Sequence, residues 1–280
     1  MLPEPTMLRK LLGLSRTEPI DAERWRRITA GLPFLGHLDR AQSERLKTQC
    51  EAFLAGKQFS GAAGFEVDDD VRVAIAIQAC LPTLELHLRS HLDFVEIVVY
   101  PDRFIVPRRQ TDEAGVVHES DDELAGEAMH GGPVVLSWPD ADPASARIGF
   151  NVVIHEFAHK LDLLDGEADG APPMPAALRD RWARTMGSAY DDFCRRLERV
   201  EASIPRHIDP ESSAADRWYE RLPLDPYAAT DPGEFFAVVT EAFFTDPVTL
   251  HEAYPALYEL LREYFRQDPS KAASTNRFSE

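Results

Sequence analysis

Apolar residues recur at helical spacing in the first part of the chain. Within residues 21–60, one predicted helical face carries Leu46, Cys50, Phe53 and Leu54. A further helix is predicted from about Asp69, because apolar residues recur every four positions until Pro82 ends the pattern. We therefore predict a helical N-terminal lobe over residues 21–90, preceded by a flexible N-terminus at residues 1–20.

Short β-rich segments follow the predicted lobe. The strand candidates are Phe94–Tyr100, Phe104–Val106, Gly115–His118 and Pro133–Trp138. Pro101 and Asp102 signal a turn between the first two candidates. The acidic segment Glu119–Glu127 is expected as a loop that separates the last two, so a small sheet is predicted.

Helical patterns return after Ala146 and continue almost to the end. The predicted segments are Phe150–Leu164, Pro175–Val200, Glu234–Phe244 and His251–Arg266. Together with the small sheet they indicate a mostly helical α+β fold. We assign residues 91–267 to one domain and residues 268–280 to a flexible tail.

Composition narrows the class of protein. A chain of 280 residues with 44% hydrophobic residues can bury a sizeable core. The net charge of −18 argues against direct binding of nucleic acid, because phosphate contacts need clustered Lys and Arg side chains. Cys50, Cys80 and Cys194 are far apart and odd in number, which is typical of proteins in a reducing compartment.

No pattern in the sequence indicates a membrane partner. The longest uncharged apolar run, Val73–Leu84, is interrupted by Gln78 and Pro82 and is too short for a bilayer core about 30 Å thick. The N-terminal residues lack the apolar stretch of a signal peptide. We therefore expect a cytoplasmic protein.

The segment from Asn151 to Asp162 carries a His-Glu-x-x-His pattern within an apolar helix. Residues four apart lie on one helical face, so His155 and His159 can direct their imidazoles at one metal ion. Glu156 can reach the position beside that ion and accept a proton from the attacking water. Core or capping histidines without a metal are the alternative, which is less favoured because unpartnered burial of these groups is costly.

One more ligand is needed, because a catalytic zinc ion usually has three protein ligands. Asp165 has the spacing of the last metzincin ligand, but those sites need glycine at the position of Asp162. Glu234 and Glu241 share one face of a later apolar helix. Glu234 also fits a capping box that starts at Asp231, whereas Glu241 lies mid-helix and fits metal ligation or a bond to an imidazole. Spacing alone leaves both carboxylates open.

Four segments read together resemble the Mlc titration factor A family of bacterial proteins. They are Ala76–Pro82, Ile97–Pro101, Asn151–Asp162 and Tyr227–Phe244. The resemblance extends over most of the chain and includes both motif helices in order. It implies a gluzincin-like zinc aminopeptidase whose zincin-like metallopeptidase core is similar to the peptidase domain of anthrax lethal factor.

The resemblance also implies roles for residues outside the His-Glu-x-x-His motif. The third zinc ligand of these relatives falls on Glu234, which leaves Glu241 to hydrogen bond to an imidazole. A tyrosine near the metal falls on Tyr227, whose phenol can donate a hydrogen bond to an oxyanion. Lethal factor-like sites have a second Glu where this chain has Val238, so the outer residues are carried over from the titration factor family alone.

Two of these assignments have plain structural alternatives. Tyr227 can instead be a packing residue beside Pro226. Asp162, three residues after His159, is predicted to orient an imidazole, and the alternative is an acid that faces solvent or pairs with a lysine.

The implied activity is hydrolysis of peptide substrates with one Zn²⁺ ion per chain. Glu156 passes a proton from the attacking water to the leaving amine, and Tyr227 stabilises the oxyanion. The family also implies binding to a glucose-responsive transcriptional repressor of the Mlc type. A protein that mainly sequesters such a repressor, with weak or secondary peptidase activity, is the alternative function.

Overall fold

Helices dominate the fold, as the sequence predicts. The computed structural model describes residues 18–86, 95–111, 117–124, 126–128, 132–145 and 147–271. The α-helices are α1 (Ala22–Ala30), α2 (Arg40–Gly56), α3 (Asp69–Cys80), α4 (Trp138–Ala141), α5 (Val152–Asp162), α6 (Ala176–Glu201), α7 (Asp216–Tyr219), α8 (Pro232–Thr245), α9 (Pro247–Ala253) and α10 (Pro255–Phe265). Within these described ranges, no helix has both the length and the apolar character needed to span a bilayer.

The described strands form one small sheet and a separate hairpin. They are β1 (Gln58–Gly61), β2 (Glu96–Tyr100), β3 (Phe104–Thr111), β4 (Val117–Leu124), β5 (Gly126–Ala128) and β6 (Val134–Ser137). The sheet has the order β1-β2-β6-β5, in which β1, β2 and β6 are parallel and the edge strand β5 runs antiparallel to β6. Strands β3 and β4 pair antiparallel outside this sheet.

Two segments differ from the prediction. The acidic segment 119–127, expected as a loop, contributes residues to β4 and β5, because the ladder joins backbone groups and does not require apolar side chains. The predicted helix His251–Arg266 is instead two helices separated at Tyr254. Pro255 disfavours helical dihedrals in the residue before it, and Tyr254 accordingly has φ −138° and ψ 67°.

Helix α5 lies between two apolar clusters. Three of its residues enter a cluster built mainly from α6, α8 and α10: Ile154, Ala158 and Leu161. Three others enter a cluster with α3 and the sheet: Val152, Val153 and Phe157. Nine residues of α5 are buried, and His155 and His159 are the two that keep partial exposure. The packing of α5 therefore presents the two histidines at its accessible edge.

The predicted N-terminal lobe and the following part of the chain share packing. Strand β1, which the apolar pattern does not predict, pairs with β2, and the second cluster joins α2 and α3 to α5. The boundary at residue 90 stays a prediction. Of the predicted flexible ends, residues 1–17 and 272–280 lie outside the described residues. Ile20 is buried, and the carboxylate of Asp268 accepts a hydrogen bond from the Tyr258 hydroxyl (2.8 Å).

A buried polar link joins α3 to the start of α5. Gln78 is 2% exposed and accepts a hydrogen bond from Asn151 Nδ2 (2.7 Å). Its own amide donates to the carbonyls of Ala74 (3.1 Å) and Ala141 (3.0 Å). The Asn151 side chain caps α5 by accepting the N–H of Ile154 (2.9 Å). Since buried polar groups are costly to leave unpaired, this link holds the first turn of α5 against α3.

We predict that Gln78→Leu lowers the free energy of unfolding by about 2–4 kcal/mol, because Asn151 Nδ2 and the Ala141 carbonyl both lose a buried partner. Chemical denaturation followed by circular dichroism measures the loss. Gln49→Leu on α2 is the matched control, since its amide makes one partly exposed hydrogen bond, to Thr83 Oγ1 (2.8 Å). The control should cost about 1 kcal/mol. Equal losses in the two variants would contradict the importance of the buried link.

Candidate metal centre

Three side chains from two helices bring their donor atoms together. His155 and His159, one turn apart on α5, place their Nε2 atoms 3.1 Å from each other. Glu234, in the first turn of α8, places Oε2 3.1 Å from each of these nitrogens. The two motif helices therefore meet where the sequence predicts a metal site.

The start of α8 explains how Glu234 reaches the histidines. Asp231 caps this helix by accepting the N–H of Glu234 (2.9 Å), and Pro232 occupies the first helical position. The backbone N–H of Glu234 therefore takes part in the helix cap, as one sequence interpretation predicts, while the Glu234 carboxylate points at the two imidazoles. Asp165 is exposed and takes no part in this cluster.

The donor set fits a divalent metal ion. Two imidazole nitrogens and one carboxylate oxygen form a known zinc-binding set that leaves a fourth position open. Donor atoms at the observed separation of 3.1 Å subtend roughly 100° at an ion placed about 2.0–2.1 Å from each, which is near tetrahedral. In the described part of the chain, no other group of three His, Cys, Asp or Glu side chains is arranged to hold an ion.

Glu241 holds one imidazole from the side opposite the donor cluster. Its Oε1 lies 2.5 Å from His155 Nδ1, and its Oε2 accepts the backbone N–H of Asn151 (3.1 Å). A hydrogen on Nδ1 leaves the lone pair on Nε2, the atom that faces His159 and Glu234. The structure thus places Glu241 in hydrogen-bonding contact with an imidazole, two helical turns from Glu234.

The electrostatics of the cluster favour a cation. Burial lowers the pKa of His155, but the carboxylates of Glu241 and Glu234 outweigh this effect and raise it well above the usual value. Burial raises the pKa of Glu234, but its hydrogen bonds to His155 and His159 hold it well below the usual value. Both shifts have one cause, the attraction of buried carboxylates for positive charge, and a metal ion supplies such charge.

Glu156 is buried beside the two histidines. Its side chain is 4% exposed, and burial raises the pKa of its carboxyl to about 7, against the lowering effect of His155 and His159. Strand β5 passes directly over it, since a Cβ on Gly126 would lie 2.4 Å from Glu156 Oε1 and 2.7 Å from Cγ2 of the buried Val152. The close approach therefore requires glycine at position 126. A carboxyl group with a pKa near neutrality is suited to accept and return a proton.

Tyr227 lies at the exposed side of the donor cluster. It belongs to the short 3₁₀ helix Pro226–Ala229, which Asp225 caps by accepting the Tyr227 N–H (2.9 Å). Its hydroxyl is 3.2 Å from Glu234 Oε1, and its ring centroid is 6.1 Å from that of His155. The side chain is 41% exposed, which does not fit a residue whose role is core packing.

Asp162 does not make the contact with an imidazole that the sequence predicts. Its side chain is fully buried, and Oδ2 accepts the backbone N–H of Gly170 (2.8 Å). Oδ1 has no hydrogen-bond partner among the described residues, so neither imidazole, nor any lysine described with them, bonds to this carboxylate. Burial raises the pKa of Asp162 to about 7. The carboxylate is turned away from solvent and holds the loop that follows α5.

Three residues that shape the site were not identified from the sequence: Asn151, Gly126 and Gly170. An asparagine directly before an apolar helix is an N-cap signal, and that signal could have identified Asn151. Gly126 and Gly170 matter because of what lies opposite them in space, and no local pattern marks either position. The distant partners of a glycine are set by the fold.

Comparison with known proteins, like the geometry of the three donors, points to a metal-binding protein of the peptidase type. A family model described as glucose-regulated metallo-peptidase M90 matches residues 7–266. Mlc titration factor A of Salmonella schwarzengrund is 35% identical over 248 residues, which cover 88% of this chain and 86% of the relative. The proteins of that name from Salmonella gallinarum and Salmonella typhi are each 35% identical over 243 residues, covering 86% of this chain and 84% of each relative.

The matched residues include α5 and α8, and with them all three donors of the candidate metal centre. The predicted resemblance to the Mlc titration factor A family is thereby confirmed. The chain belongs to the glucose-regulated metallo-peptidase M90 family.

Proposed function

We propose that the protein is a zinc-dependent peptidase that binds one Zn²⁺ ion with His155, His159 and Glu234. The observation that carries this proposal is the mutual 3.1 Å separation of the three donor atoms, with a buried glutamate next to them on α5. The His-Glu-x-x-His pattern on α5 and the match to a metallo-peptidase family support a zincin-like core for the same site. When bound, zinc supplies a Lewis acid for the peptide carbonyl and for water.

The remaining chemistry is carried by side chains of this chain. Glu156 accepts a proton from the attacking water and delivers it to the leaving amine, which its pKa near neutrality favours. Tyr227 donates a hydrogen bond from its exposed hydroxyl to the oxygen that becomes negatively charged. Glu241 keeps the His155 ring oriented with Nε2 toward the ion.

Cleavage from the N-terminus is the specificity that the family resemblance supports. An aminopeptidase requires a free amino group on its substrate, whereas an endopeptidase does not. A chromogenic aminoacyl substrate and its N-acetylated counterpart therefore distinguish the two types in the same assay used for the variants below. Cleavage of the acetylated compound at a similar rate would rule out the aminopeptidase assignment.

We predict that Glu156→Gln and Tyr227→Phe keep the metal and lose activity. The first variant removes the proton acceptor, which should lower kcat by about 10²–10⁴-fold. The second removes one partly exposed oxyanion donor, which should lower kcat by roughly 10–100-fold. Elemental analysis and kcat on the aminoacyl substrate are the measurements, and Asp165→Asn, a change of an exposed acid, is the control. Full activity in the Glu156→Gln variant would refute the role of Glu156.

Metal binding should depend on His155 and Glu241 to different degrees. His155→Ala removes a ligand and should abolish stoichiometric zinc. Glu241→Gln keeps His155 as a ligand but weakens the hydrogen bond that His155 Nδ1–H donates to residue 241. Zinc affinity should therefore fall about 10–100-fold. Competition with a chelator of known affinity measures both effects, and His207→Ala, a change of an exposed histidine, is the control. Unchanged zinc content in the His155 variant would overturn the ligand assignment.

We also propose that the protein binds a transcriptional repressor of the Mlc type. The name of its relatives, Mlc titration factor A, supports this second function. The cytoplasm is the compartment that such a partner implies. The three cysteines, which are all free, fit that compartment.

Repressor binding should persist in Glu156→Gln, because that substitution changes a buried proton acceptor and leaves the surface unaltered. A pull-down with purified Mlc, with and without chelator, is the measurement. Binding that survives chelation would locate the partner surface away from the metal, and chelator-sensitive binding would locate it over the metal centre. Absence of binding by the wild-type protein would refute the second function.

A further inference from the structure

The loop after α5 touches the backbone of α8 directly before Glu234. A Cβ on Gly170 would lie 2.4 Å from the carbonyl oxygen of Pro232. In the same way, a Cβ on Gly233 would lie 2.7 Å from the carbonyl oxygen of Ala168. The two backbones therefore meet without intervening side chains. The loop at residues 168–170 is thus in direct backbone contact with the turn that carries Glu234.

Gly170 itself is held by two other helices. Its N–H donates to Asp162 Oδ2 at the end of α5 (2.8 Å), and its carbonyl accepts from Trp182 Nε1 on α6 (2.8 Å). Both partners are buried, with exposed fractions of 0% for Asp162 and 2% for Trp182. Gly170 has φ +80°, a conformation that favours glycine. Both backbone hydrogen-bonding groups of Gly170 are thus satisfied by buried side chains, and the loop has a fixed position.

We propose that Asp162 and Gly170 are positioning residues that set the distance between Glu234 and the two histidines. The helix that carries His155 and His159 ends in Asp162, which holds Gly170, and Gly170 contacts Pro232, two residues before Glu234. These contacts therefore connect the two histidine donors on α5 to the third donor, Glu234, on α8. The inference rests on the proposed function, because it concerns the affinity of the proposed metal centre.

Two roles for Asp162 have to be separated. In the proposed role, its Oδ2 acts as the acceptor that fixes Gly170, and the negative charge is not required. In the role predicted from the sequence, the charged carboxylate acts on an imidazole. An asparagine keeps an acceptor oxygen and removes the charge, so Asp162→Asn preserves the first role and abolishes the second.

The first test is Gly170→Ala, with zinc affinity measured by chelator competition and folding measured by thermal denaturation. The added Cβ collides with the Pro232 carbonyl, so zinc affinity should fall about 10-fold or more. Gly64→Ala is the matched control. Gly64 has φ +81°, and a Cβ there would meet no atom within 4 Å, so the control also places a side chain at positive φ but causes no collision. Its zinc affinity should equal that of the wild type.

The second test covers the case in which Gly170→Ala does not fold. Asp162→Leu, which removes the acceptor, should weaken zinc binding about 10-fold or more, and Asp162→Asn should restore most of the affinity. A folded Gly170→Ala protein with wild-type affinity would overturn the proposal. Equal loss in the Leu and Asn variants would also overturn it, in favour of a role for the charge. A wild-type protein that binds no zinc would instead refute the proposed function, together with this inference.

Discussion

Burial of several carboxylates next to two imidazoles is the interaction on which the site depends. Glu156 and Glu241 are 4% and 3% exposed, and Glu234 is only partly exposed. An ionised carboxylate in such surroundings needs a cation or strong hydrogen-bond donors, because its desolvation is expensive. Glu234 meets this need at both histidines and Glu241 at His155, whereas burial prevails at Glu156 and raises its pKa to about 7. The cluster consequently concentrates negative charge at the place where the donor atoms converge.

The fold delivers these groups on rigid elements. Helix α5 is buried on both flanks, and α8 is buried along nearly its whole length, with Phe235, Phe236, Phe243 and Phe244 in the core. Neither helix can rotate without exposing apolar surface, which costs about 25 cal/mol for each Å². Sites built on packed helices hold their geometry more precisely than sites on loops. Tyr227 differs from the three candidate donors in this respect, because a short 3₁₀ helix carries it at the surface.

Sequence alone predicted the helix that contains His155 and His159 and the capped start of α8, because both signals are local. The choice between Glu234 and Glu241 could not be made from spacing, since both lie on one helical face and only the position of α5 tells which one faces the Nε2 atoms. Strand β1 was missed because its partner β2 lies far away in the chain, and β5 was missed because its acidic segment lacks an apolar strand pattern. Asp162 was assigned to an imidazole because the loop at Gly170, its actual partner, has no signature in the sequence.

The candidate metal centre is held from two sides. On one side, Gln78 bonds to the Asn151 side chain, the Asn151 N–H bonds to Glu241, and Glu241 bonds to His155. On the other side, contacts from the end of α5 run through the following loop to the first turn of α8. In the proposed metal centre, the first path orients an imidazole and the second sets the reach of a carboxylate. An ion bound there would require all three donors at once, so a change in either path would disturb the proposed site, and on this proposal the buried polar groups away from the donors serve to keep its geometry.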